Sequence, residues 1–264
     1  MNIVTSIIFF LTTGLLFSQE SISLSIKDSL PITADIFIGV DDFNNIYYIK
    51  DNIFHKKTAS KVFVYNNLQL GAISSVDILN PLDITVFYSD FNTVIKLDNT
   101  LNETVQIRFS EIQSFRNVQY VSTAINKSLW IFNTDIQQPE LFDYQQKNIL
   151  SINQPITEDV IAWESNYNFC WALTINTLYQ YNIYGSLLQK IALNGFDDLH
   201  QSSENLVLKK KNKLFYIKKG SYITIPIKLP VNISIKDFYL RGDNLYIYNN
   251  KKLYHFILNL NQPE

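Results

Sequence analysis

The chain has 264 residues, 47% of them hydrophobic and 14% aromatic, and a formal net charge of -2. That apolar content supports a sizeable core and excludes a disordered chain, and the slightly acidic balance excludes general attraction to nucleic acid or an anionic membrane. Glycine is scarce at 7 residues while asparagine reaches 28, so asparagine must supply much of the left-handed backbone that tight turns need.

The first feature in chain order is an apolar run from Ile3 to Phe17, ending in Phe17-Ser18-Gln19-Glu20. It is shorter than the roughly 20 residues that a spanning helix needs. Residues 1–18 are therefore expected to be a secretory signal cleaved near Ser18 or Gln19. An uncleaved anchor is the alternative, because no Lys or Arg precedes the run. Residues 19–264 are left as one domain. The only cysteine, Cys170, lies inside the apolar strand Phe169 to Leu173, so no intrachain disulfide can form and an inert buried thiol is expected.

Ile22-Ser23-Leu24-Ser25-Ile26 alternates strictly and reads as a strand with no obvious partner nearby. After it begins a repeat. Asp35-Ile36, Asp77-Ile78, Gln119-Tyr120, Asp159-Val160, Asp198-Leu199 and Asp237-Phe238 recur at intervals of 42, 42, 40, 39 and 39 residues. Each pair is predicted to sit on a first strand. A second strand follows in each unit, as in Ile46–Ile49, Ile84–Tyr88 and Leu245–Tyr248. A third comes after an Asn- or Asp-bearing turn such as Asp51-Asn52, Asp90 to Asn92 or Asn249-Asn250. The first five units add a fourth strand: Val62–Tyr65, Val105–Ile107, Ile149–Ile152, Leu187–Ile191 and Tyr222–Ile227. The sixth unit runs out of chain, and Ile22–Ile26 has the offset of a missing fourth strand. A period near 40 with four strands each, closed by the opening segment, predicts an all-β, six-bladed β-propeller sealed without an open seam.

The pattern resembles the secreted propeller superfamilies of the NHL-repeat and quinoprotein-like kinds. The stretch from Leu70 to Glu103 also looks like small Bacteroidota propellers, some of them tied to the type 9 secretion apparatus at the outer membrane. The resemblance implies a periplasmic setting and a protein partner in an outer-membrane-associated complex. It carries no catalytic motif.

The repeated polar residues Asp35, Asp77, Gln119, Asp159, Asp198 and Asp237 are expected at equivalent points of the innermost strands, where hydrogen bonds from neighbouring turns would lock blade to blade. An acidic channel mouth binding a cation is the alternative. His55, His200 and His255 have no metal-ligand spacing and read as isolated strand histidines. Lys209, Lys210, Lys211, Lys213, Lys218 and Lys219 form a basic cluster, read as a solvated hairpin that deters edge pairing or as a contact patch for an acidic partner. Some six-bladed relatives hold a metal in the channel with Glu, Asn and Asp from different blades, and by that analogy Glu164, Asn166, Asn117 and Asp197 are candidates. There is neither a Gly-x-Ser-x-Gly elbow nor a glycine-rich phosphate loop. The expectation is a scaffold without cofactor or catalytic site; a channel-centred lyase- or lactonase-like enzyme, or a small-ligand binder, is the competing reading.

Overall fold

A computed structural model describes residues 21–113, 115–230 and 233–260. The expected signal peptide lies outside the described residues. Strand β1 (Ser23–Pro31) comes first. Blade one is β2 (Ile36–Val40), β3 (Ile46–Lys50), β4 (Ile53–Lys57) and β5 (Val62–Tyr65), and blade two is β6 (Ser75–Asp77), β7 (Ile84–Tyr88), β8 (Thr93–Leu97) and β9 (Glu103–Arg108). Blade three is β10 (Val118–Thr123), β11 (Ser128–Asn133), β12 (Gln138–Asp143) and β13 (Asn148–Ile152). Blade four is β14 (Val160–Ser165), β15 (Phe169–Thr174), β16 (Thr177–Asn182) and β17 (Leu187–Ala192). Blade five is β18 (Asp198–Ser202), β19 (Asn205–Lys210), β20 (Lys213–Ile217) and β21 (Ile225–Ile227). Blade six is β22 (Asp237–Arg241), β23 (Asn244–Tyr248), β24 (Lys252–Asn259) and, on its outer edge, β1. All six sheets are antiparallel, five of them simple meanders and the sixth completed by β1, and the only helix among the described residues is a 3-10 turn at Phe109–Glu111.

The opening strand closes the ring as expected. Leu24 pairs with Leu258 and Ile26 with Phe256, and after a bulge between Ile26 and Asp28 the ladder continues to Pro31 opposite Lys252. This strand is longer than the sequence suggests. Just before it, Ile22 makes a parallel bridge to Ile227, so the first described residues also tie blade five to blade six. Blade five differs in the other direction: its fourth strand is only Ile225–Ile227, and Tyr222 and Ile223 belong to an exposed loop.

Burial follows position in the blade. The middle strands β7, β8 and β11 are buried at every residue, because a blade lies against each face. Outer strands are far more exposed, β13 reading exposed, half-buried, exposed, half-buried, exposed and β9 exposed at all but one residue. The core is accordingly divided into six apolar clusters, one at each blade junction. The junction between blades six and one is filled by Phe37, Val40, Tyr246, Tyr248 and Leu253, so the closing seam is packed like the others. Cys170 is buried in the cluster between blades three and four, with its thiol pKa pushed up by burial.

Asparagine takes over glycine's role as composition demands: Asn44, Asn52, Asn92, Asn126 and Asn250 all have positive φ. Three turn asparagines do more. Asn52 donates to Gly71 O and accepts from Ile73 N, Asn92 donates to Arg116 O and accepts from Val118 N, and Asn212 donates to Ile233 O and accepts from Ile235 N. Each clamps the turn between second and third strands to the linker entering the next blade.

Candidate ligand channel and docking face

The first strands of the blades surround the axis, with β22 beside β2 and β18, β14 beside β18 and β10, and β10 beside β6. Between them lies a cavity of about 310 Å³ whose lining includes Ile38, Asp77, Trp163, Glu164, Asp198, His200, Gln201 and Tyr239. Because side chains alternate along a strand, Asp198 and His200 reach it from one face of β18. A second, wider space of about 720 Å³ follows at the far ends of the same strands, lined by Asp41, Asp42, Asn166, Tyr167 and Arg241 among others. Ile78, Leu79, Gln201 and Tyr239 border both spaces.

The aromatic walls are held from neighbouring blades. Trp163 donates its indole N–H to Ser122 Oγ at 2.8 Å and stacks on Tyr120 at 6.1 Å between ring centroids. Tyr239 meets the His200 ring edge-on at 4.7 Å. Gly39 on β2 makes room for it, since a Cβ there would stand 2.6 Å from Tyr239 Cε2.

His200 Nδ1 lies 3.3 Å from Glu164 Oε1, across the junction of blades four and five, but out of line for a hydrogen bond. Each side chain exposes only about a fifth of its surface, 20% for His200 and 22% for Glu164. Burial, reinforced by the negative charges of Asp77 and Asp198, pushes the Glu164 pKa well up, which favours the neutral acid. Burial lowers the His200 pKa to about 4, so the imidazole is neutral at pH 7. Burial likewise raises Asp198 to about 6, against the pull of Lys209. Burial is also the largest cause raising the Tyr239 hydroxyl, with Glu164 next. Among the described residues, no group of three or more His, Cys, Asp or Glu side chains stands close enough to hold a metal ion.

The six repeat positions are not equivalent in three dimensions. Asp77 accepts from Leu79 N at 2.7 Å and from Thr123 N of the next blade at 2.6 Å, and Asp237 accepts from Phe37 N across the closing seam at 2.9 Å. These two do lock blade to blade. Asp35 instead accepts from Asp51 N within its own blade, and Asp198 from Leu199 N next to it. Gln119 and Asp159 are exposed. The reason is register. Asp198 and Asp237 open their strands, Asp35 precedes its strand and Asp77 ends one. Bulges shift β2 after Phe37, β10 after Val118 and β14 after Val160, while β18 and β22 pair without one. Equal sequence spacing therefore does not give equal positions.

The basic cluster also divides. Lys209, Lys210, Lys211 and Lys213 surround one turn of blade five, whereas Lys218 and Lys219 follow the opposite end of β20, roughly 16 Å away at the rise of a strand. Lys209 pairs with Asp197 at 3.4 Å, Lys210 donates to Asn194 O and Lys219 pairs with Glu204 at 2.6 Å, so half of the six charges are already engaged. Of the residues suggested by analogy, Glu164 lies in the inner cavity and Asn166 in the outer space, while Asn117 and Asp197 are exposed. His200 was read as an isolated strand residue; its alternation with Asp198 was the available signal. His255 stacks on Tyr246 at 4.4 Å and His55 on Tyr48 at 4.7 Å, both away from the inner cavity.

The face carrying the turns between second and third strands, together with the linkers between blades, exposes large apolar side chains on successive loops: Leu68, Phe91, Phe115, Ile136 and Ile175. Their exposure runs from 46% at Ile136 to 87% at Leu68. The asparagine clamps at positions 52 and 92, together with Thr134 N bonding Asn117 O and Ile156 N bonding Gln137 O, tie these loops to one another.

No protein-family model and no curated protein matches the sequence. Solved structures do match. A catalytically inactive virginiamycin B lyase from Staphylococcus aureus with quinupristin superposes at a TM-score of 0.60 with 10% identity, over 92% of this chain and 97% of that one. BamB from Moraxella catarrhalis gives 0.52 with 8% identity, over 91% and 99% of the two chains. PorZ, an essential surface component of the type-IX secretion system of Porphyromonas gingivalis, gives 0.52 with 10% identity, over 89% of this chain and 39% of that one. At such identities the likeness is one of fold. The chain is a six-bladed β-propeller, similar in architecture to a lyase on one side and to a secretion-system component on the other.

Proposed function

We propose that the protein is a non-enzymatic propeller scaffold that docks onto a partner protein in an outer-membrane-associated complex, as an accessory of the type 9 secretion apparatus in the periplasm. The observation that carries the docking role is the apolar series Leu68, Phe91, Phe115, Ile136 and Ile175 on loops clamped to one another. Exposed apolar side chains grouped on one face mark interaction surfaces, and clamped loops lose little conformational entropy on binding. The setting is supported by the shared fold with PorZ and by the signal-like N-terminal sequence.

The test is affinity capture from a mild detergent extract of the native cell. Envelope proteins are expected to accompany the wild type and to be lost with Phe91→Ser/Phe115→Ser, but retained with Phe43→Ser/Leu82→Ser on the opposite face. A protein that emerges alone, or captures the same partners with all variants, would refute the docking role.

A further inference from the structure

The inner cavity is acidic and aromatic-walled; Lys209, outside its lining, stands 3.9 Å from Asp198. Asp77, Glu164 and Asp198 all line it, and no Lys or Arg does. The two Asp side chains already accept backbone N–H groups, whereas the Glu164 carboxyl has no hydrogen bond and faces the cavity. Gln201, only 9% exposed, donates through Nε2 to Ser165 O and leaves Oε1 unpartnered, as His200 Nδ1 is left. The walls of the cavity therefore hold buried polar atoms that lack a partner among the described residues. Beyond its burial, Glu164 feels the negative charges of Asp77 and Asp198, a repulsion that a bound positive charge would relieve. The three carboxyl groups stand apart around the cavity and do not form a metal cluster. Trp163 and Tyr239 present aromatic surface, which attracts organic cations.

From this geometry we propose that the channel is a binding site for a small organic cation, a primary ammonium or amidinium carried on an apolar body. The charged head sits at Glu164, which gives up its proton to solvent as the cation binds, with Gln201 and His200 beside it, and the apolar body packs on Trp163 and Tyr239. This site is independent of the docking face and remains if that face has no partner.

The experiment is isothermal titration of the full secreted chain with phenethylammonium and with benzamidinium, beside the isosteric neutral 2-phenylethanol and beside magnesium and calcium. Saturable binding of at least one organic cation is expected, about tenfold or more tighter than the alcohol, a difference of about 1.4 kcal/mol. Glu164→Gln, checked for folding by its thermal melt, is expected to weaken the cation about tenfold and to leave the alcohol unchanged. If Glu164→Gln does not fold, Asp198→Asn serves in its place, because it too removes a cavity charge. Absence of binding up to 10 mM (on the order of the weakest specific affinities), equal binding of the alcohol, or tighter binding of the metal ions would overturn the proposal.

Discussion

Tyr248→Phe is the sharpest test of how the ring closes. Tyr248 is fully buried on the second strand of blade six, and its hydroxyl makes two bonds to one residue of the linker entering blade one. It accepts from Ala34 N and donates to Ala34 O, both at 2.9 Å and across 214 residues of sequence. Removing the oxygen leaves a buried N–H and a buried C=O unpaired, each costing about 1–3 kcal/mol, so a loss of about 2–6 kcal/mol is expected. At roughly 2–4 °C per kcal/mol for a domain of this size, the melting temperature should fall by about 4–24 °C. Tyr254→Phe on β24 is the matched control: the residue is half-buried and its hydroxyl makes no hydrogen bond among the described residues, so its effect should stay within about 0.5 kcal/mol. Urea denaturation followed by tryptophan fluorescence measures both. Equal stabilities for the two variants would mean that the hydroxyl does not bridge the seam, and the closed ring would have to be redrawn.

Gly39→Ala should cost about 1–3 kcal/mol in urea denaturation, because the new Cβ would meet the Tyr239 ring at 2.6 Å and must push it within the channel. Asn52→Ala removes both halves of a blade clamp and is expected to cost about 1–2 kcal/mol. Asp159→Ala, exposed and without a hydrogen bond, should stay within about 0.5 kcal/mol; a large loss there would restore the idea of a uniform Asp ring. The channel acids predict a pH dependence. Asp198 rises from 3.8 unfolded to about 6 folded, so its contribution favours the fold at low pH and is lost as pH rises between those values. Asp198→Asn should therefore gain stability relative to wild type from pH 4 to 6, levelling off above. His200 acts with the opposite sign: lowered from 6.5 to about 4, its contribution is present above pH 6.5 and lost as pH falls toward 4. A His200→Gln variant should lose less stability than wild type over that acid range, read from melts in matched buffers.

The blade count and the closing strand could be read from the sequence because both rest on local patterns: alternation over five residues, Asn- and Asp-bearing turns, and a period of 39–42 residues. Ile22–Ile26 needed a partner, and only the end of the last unit lacked one. The channel chemistry was only partly readable. Glu164 was named by analogy, but its neighbour His200 comes from a strand of the next blade, and no local spacing states that distance. The asparagine clamps were hidden for the same reason, since each joins a turn to a linker about 20 residues further on.

The sequence by itself determined six four-stranded units and how their ends meet, because backbone pairing and turn preference act between near neighbours. Only the tertiary structure decided which repeated Asp residues lock a junction and which face solvent, and that the lysines divide between two faces. The physical reason is strand register: a bulge in β2, β10 and β14 shifts the pairing of the residues on either side of it, and equal spacing along the chain does not reveal that shift.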